Sequence, residues 1–135
     1  MKATATFTPT TWDEKPYGGL QKPARMTKAS VEFLFKGQLE GHAHTEFVMF
    51  YRMYDEKDLH AASASYVGMT RFEGTLNGKP GGFVFEEHGS FEGGAARSSS
   101  TILSGSGTGA LKAIKGTATG VSTQNSSEFT LEYTL

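Results

Sequence analysis

The sequence predicts an all-β protein, and within that class a closed antiparallel eight-stranded up-and-down β-barrel. Three observations lead there. Seventeen glycines, ten phenylalanines and abundant Thr and Ser suit a pleated, turn-rich chain, because aromatic and β-branched side chains fit a half-buried sheet while glycine supplies the positive φ of tight turns. Helical periodicity is almost absent. Turn signals divide the chain into eight extended runs near 2–8, 26–39, 43–54, 63–76, 81–92, 95–103, 115–123 and 127–135; an even number lets the first strand lie antiparallel to the last, which removes open sheet edges.

Each element follows from its own residues. The alternation begins at Lys2 and gives way to DEKPYGGLQKPAR (13–25), whose Pro16, Gly18, Gly19 and Pro23 read as a connection crossing one barrel end, a candidate lid. On 31–35, Val31, Phe33 and Phe35 oppose Glu32, Leu34 and Lys36 and are expected to point inward. The run 43–54 sets Phe47, Met49, Tyr51 and Met53 against Glu46, Val48, Phe50 and Arg52, so both faces are partly apolar and its inward face stays open. The connector DEKDLHAA (55–62) carries Asp55 and Asp58 at the cap and third positions of a short helical turn, although a solvated link is the simpler reading. On 63–76 the parity inverts, with Tyr66, Thr70 and Phe72 inward and Met69, Arg71 and Glu73 outward. Asn77-Gly78 is a type I′ hairpin signal and Gly93-Gly94 a second turn. The fifth run then places Phe83, Phe85, Glu87 and Phe91 on one face, and the last places Phe129, Leu131, Tyr133 and Leu135 together.

Length and charge narrow the function. The 135 residues form one domain, 1–135, and a formal net charge of −1 offers no basic stripe for nucleic acid. No cysteine occurs, which removes thiolate chemistry and sulfur-ligated zinc. No apolar run is long enough to span a membrane, so the expectation is a cytoplasmic protein without membrane or nucleic-acid partners. GSGTGALKAIKG (105–116) matches a loose dinucleotide pattern, but strands flank it on both sides and no helix follows to receive a pyrophosphate. Its glycines are better explained by a sharp turn, with Leu111 and Ile114 plugging a barrel end. Val48, Phe50 and Leu34, apolar and outward if odd residues face in, suggest a homo-oligomer.

What remains is the lumen. An eight-stranded barrel is just wide enough to be filled by side chains or to hold one small ligand, and the sequence leaves both open. Inward Glu87 among phenylalanines should be a carboxyl with a raised pKa, with Tyr51, Tyr66 or Tyr133 as hydrogen-bond donors; the alternative is a Glu87 that reaches water or pairs with Arg71 or Arg52. The predicted site is therefore Glu87, Tyr51 and Tyr66 as catalytic or orienting groups, with Phe33, Phe35, Met49, Phe83, Phe85 and Tyr133 around a small hydrophobic molecule and no cofactor. A competing, cupin-like metal site would use His42, His44 and Glu46, with His88 as a further nitrogen. Its His-to-Glu spacing is incomplete, and an outward, polar placement of both histidines is favoured. No G-x-S-x-G context supports a nucleophilic serine.

The same glycine loop, together with WDEKPY and the succession GTLNGKPGGFVF to GSFEGG, resembles over essentially the whole chain a bacterial domain-of-unknown-function family of small proteins with an allene-oxide-cyclase-like barrel. The resemblance implies an apolar lumen. It also implies, by analogy with barrel relatives that cyclise reactive substrates, either a binding protein or a cofactor-free cyclase or isomerase. It transfers no catalytic residue. Ser98-Ser99-Ser100 stands where members carry a bulky aromatic, a change that implies a wider cavity.

Overall fold

The computed structural model describes residues 1–58 and 61–135. Among these residues nine strands run in the order β1 (Lys2–Tyr17), β2 (Arg25–Gly37), β3 (Leu39–Met53), β4 (Ser63–Leu76), β5 (Lys79–Glu92), β6 (Ala95–Ile102), β7 (Thr108–Gly109), β8 (Lys115–Ser122) and β9 (Ser127–Thr134). All pairings are antiparallel. The long strands close on themselves, since β1 pairs with β9, β4 with β5 and β6 with β8. The two-residue β7 adds a ninth strand against Gly81 and Gly82 of β5, inside the loop that the sequence reads as a turn. Among the described residues no helix is long and apolar enough to cross a membrane.

The hairpin signals act as their chemistry requires. Asn77 (φ 49°) and Gly78 (φ 82°) turn β4 into β5, and Gly93 (φ 57°) and Gly94 (φ 81°) turn β5 into β6, both central residues adopting the positive φ of a tight hairpin. Odd residues of β2, β3, β5 and β9 face in, while β4 inverts because Thr45 pairs with Thr70 and Thr70 with Phe85. On β3 the open choice resolves: Phe47 and Met49 are buried, and Val48 and Phe50 are exposed. Val48 lies opposite Val67, with Met69 nearby, so an apolar strip faces outward; Leu34 is half-buried. Leu135, expected inward, is exposed beyond the end of β9.

The candidate lid is a correction. Residues 13–17 continue β1, pairing Asp13 with Ser30 through to Tyr17 with Met26. Only 18–24 form the link to β2. Proline is tolerated because β9 pairs with β1 only from Lys2 to Thr6, so Pro9 and Pro16 occupy a stretch paired only with β2, the edge position in which a residue without an N–H is accommodated. In the 55–62 connector, Asp55 Oδ1 accepts a hydrogen bond from the Lys57 N–H at 2.9 Å. Residues 59 and 60 of the helical turn expected there lie outside the described residues.

Packing differs along the axis. At the end marked by the β4–β5 hairpin, Leu39, Phe72, Leu76, Phe83, Leu131, Leu111 and Ile114 are at most 2% exposed, so the interior is solid and the glycine loop plugs it. The opposite end is built differently. There β2, β3 and β4 present Phe33, Phe47, Tyr51 and Tyr66, whereas β6 and β8 present Ala96, Ser98, Gly120 and Ser122. Large side chains on one wall meet small ones on the other, and space remains.

Candidate functional site

That space is a cavity of about 750 Å³. Its walls include Phe7, Trp12, Phe33, Phe47, Met49, Tyr51, Tyr54, Tyr66 and Phe91, and two carboxylates reach it, Glu14 and Glu87. A volume of this order suits one small molecule. A second concavity, about 630 Å³, lies on the outer face along Met26, Val48, Phe50 and Val67; it is shallower and neither carboxylate reaches it.

Glu87 stands at the cavity floor. Its Oε1 accepts a hydrogen bond from Thr70 Oγ1 at 2.8 Å, and the buried hydroxyls of Thr70 and Thr45 are 2.7 Å apart. With Thr70 donating to Glu87, Thr45 donates to Thr70, and a short polar relay crosses the apolar interior. Burial holds the Glu87 carboxyl above its usual range, against the opposing influence of the Thr70 hydrogen bond and His88. Tyr66 is pushed up to about 12, first by burial and then by the charge of Glu87, so its hydroxyl keeps its proton at neutral pH. Its cross-strand partner is Gly89. A Cβ there would come within 2.5 Å of the Tyr66 hydroxyl oxygen, so the glycine makes room for the ring.

Glu14 comes from the part of β1 that the sequence reading assigned to a lid. The register of β1 against β2 shifts between Pro9 and Thr11, and one extra residue in a strand reverses its inward parity. Upstream, Ala3, Ala5 and Phe7 face in; downstream, Trp12 and Glu14 do. Three donors fix the carboxylate: Thr27 Oγ1 at 2.7 Å, Tyr51 Oη at 2.8 Å and Trp12 Nε1 at 2.9 Å. Burial, followed by the contact with Glu14, holds the Tyr51 hydroxyl well above its ordinary value.

The structure thus brings Glu87, Tyr51, Tyr66, Phe33 and Met49 to one cavity. Tyr51 and Tyr133 do not serve Glu87 as donors: Tyr51 donates to Glu14, and the Tyr133 hydroxyl, at the closed end, accepts from Asn77 Nδ2 at 2.8 Å. Phe35, Phe83, Phe85 and Tyr133 do not line the cavity and belong to the packed cluster, although Phe35 and Phe85 border a small pocket of about 30 Å³ beside Glu87. Arg71 pairs with Glu73 and Arg52 with Ser65, so neither neutralises Glu87. His42, His44 and Glu46 lie on the exposed outer face. There His44 Nδ1 meets Glu32 at 2.6 Å while Nε2 meets Glu46, and the Glu32 hydrogen bond is the largest influence raising His44 above its ordinary value. Among the described residues no three such side chains are grouped to hold a metal.

The comparison with known sequences decides the family. The profile of DUF3224, described as a protein of unknown function, matches residues 3–133. The chain belongs to the DUF3224 family. A crystal structure of a DUF3224 protein of unknown function from Shewanella oneidensis MR-1 superposes with a TM-score of 0.75 at 20% identity, covering 100% of this chain and 96% of that one; at that identity it supports the fold of this DUF3224 chain. No curated protein matches.

The electrostatics of Glu87 predict a pH dependence. A carboxyl whose folded pKa is raised contributes stability below its unfolded value and loses it as pH rises through the folded value. Glu87→Gln, which mimics the protonated acid, should therefore match wild type in thermal stability below the ordinary value of 4.5 and become progressively more stable than wild type as pH rises above it. Melting curves from about pH 4 to about pH 8 check this; a difference that stays flat with pH would mean that Glu87 is solvated, and one that falls would mean that the fold stabilises its carboxylate, and either would contradict the buried acid.

Proposed function

We propose that this DUF3224 protein binds one small, largely apolar molecule in the cavity and orients its polar part with Glu87 and Glu14. The observation that carries the reading is the asymmetric wall: small residues on β6 and β8 face aromatic ones on β2, β3 and β4, and leave about 750 Å³ inside the closed sheet, whose other end is packed solid. On this reading the closed sheet is an allene-oxide-cyclase-type barrel with an open lumen. A second role, proton transfer in a cyclisation or isomerisation, is favoured by Glu87. A carboxyl raised by burial beside a protonated tyrosine is suited to general acid–base work on a bound substrate.

The neutral fluorophore N-phenylnaphthylamine, which brightens in apolar surroundings, tests the binding reading. Wild type is expected to bind it saturably, and Ala96→Phe, which grows a side chain into the cavity, should weaken binding by at least about tenfold while the circular dichroism spectrum remains that of a β protein. No saturable binding, or equal binding by the variant, would defeat the cavity as the site.

A further inference from the structure

The cavity's charge is one-sided. Its described lining contains Glu14 and Glu87 and no Lys, Arg or His. Arg25 is not among the lining residues, but its guanidinium lies over two rings of the cavity wall, 4.0 Å from the centre of the Tyr54 ring and 5.9 Å from that of Tyr51. Those contacts show that the rings at the mouth already accept a cation on their faces.

The aromatic walls are also held in place. Trp12 stacks on Phe47 at 6.2 Å, Phe47 meets Tyr66 edge-on at 5.4 Å, and Tyr51 meets Tyr54 edge-on at 5.2 Å. Aromatic faces carry negative potential, and a cation placed among them in a desolvated site is attracted by the ring quadrupoles. The Glu14 carboxylate adds to that potential, and Glu87 adds to it in its ionised form. In all its contacts Glu14 is the acceptor, the role of an ionised carboxylate. The Oε2 of Glu87 carries no hydrogen bond among the described residues. An anionic ligand would meet two acids and no base among the lining residues, with Arg25 over the Tyr51 and Tyr54 rings as a nearby cation, and a neutral one would leave the potential unused.

We infer that the molecule held here is a cation on an apolar body, a small amine or quaternary ammonium compound whose charge is shared by Glu14, Glu87 and the aromatic faces. The inference rests on the cavity being the binding site, and its test separates the two.

Three ligands with the same body, phenylbutylamine, phenylbutanol and phenylbutyrate, are titrated against N-phenylnaphthylamine-loaded protein at neutral pH. The amine is expected to displace the probe at about tenfold lower concentration than the alcohol, and the carboxylate is expected to be the weakest. Glu87→Gln and Glu14→Gln should each reduce the amine-to-alcohol ratio several-fold, and either variant that keeps the wild-type circular dichroism spectrum suffices. If the probe binds but the alcohol equals or exceeds the amine, or the carboxylate binds best, the cation is wrong and the cavity reading stands. If the probe itself fails to bind, both fall together.

Discussion

Phe72→Ala is expected to destabilise the fold by about 3–5 kcal/mol, lowering the melting temperature by on the order of 10–20 °C. Phe72 is completely buried. Its ring lies 5.3 Å from that of Phe83 and 5.9 Å from that of Phe35, and Phe35 in turn lies 5.3 Å from Phe129. The aromatic cluster spans β2, β4, β5 and β9, and so ties the β4–β5 hairpin to strands far from it in sequence. Alanine would leave a void bounded by rigid strands on every side, and a closed sheet has little freedom to collapse into it. Thermal or denaturant unfolding measures the loss; a change below about 1 kcal/mol would mean that this end is loosely packed.

Gly74→Ala should be comparably damaging for the opposite reason. On β4, Gly74 pairs with Gly41 on one side and Gly81 on the other. A Cβ on Gly74 would stand 2.8 Å from the Gly41 Cα and 2.9 Å from the Glu40 carbonyl carbon, closer still to that carbonyl's oxygen. Neighbouring backbones approach too closely here for any side chain, and strands cannot move aside as a flexible side chain can. A cost of about 3 kcal/mol or more is expected. Exposed Gly78→Ala is the control: a Cβ there meets nothing within 4 Å, yet the position keeps φ +82°, so backbone strain alone costs about 1 kcal/mol. Equal effects at the two sites would show that the strands at Gly74 can separate.

Much of this architecture is legible in the residues. The alternations in β2, β4 and β9, the Asn77-Gly78 and Gly93-Gly94 turns and the buried plug of Leu111 and Ile114 follow from local chemistry. Glu87 was placed on the aromatic face by the same rule. Period two, however, tells which side a residue faces and says nothing of its height along the axis. Phe35, Phe83, Phe85 and Tyr133 share the inward side with Phe33 and Met49 but sit deeper, in the packed cluster. Height depends on register between strands, which no single strand encodes.

Glu14 was missed for a different reason. A one-residue irregularity near Thr10 reverses parity, and Pro16 argues locally against a strand although it occupies a singly paired stretch. The alternation Trp12, Glu14, Pro16 against Asp13 and Lys15 was the signal that could have placed it. Recognising it required knowing that β9 stops pairing after Thr6.

The most direct test of the interior site uses residues the protein already has. Met49 lines the cavity at 7% exposure, Met69 lies on the outer face at 50%, and the single tryptophan, Trp12, donates its indole N–H to Glu14. In protein labelled at the methionine methyls and the indole nitrogen, titration with phenylbutylamine should shift the Met49 methyl and Trp12 indole resonances together and leave Met69 in place. Movement of Met69 and of Met26, which borders the outer groove, with Met49 and Trp12 unchanged, would place the ligand outside the closed sheet and contradict the account.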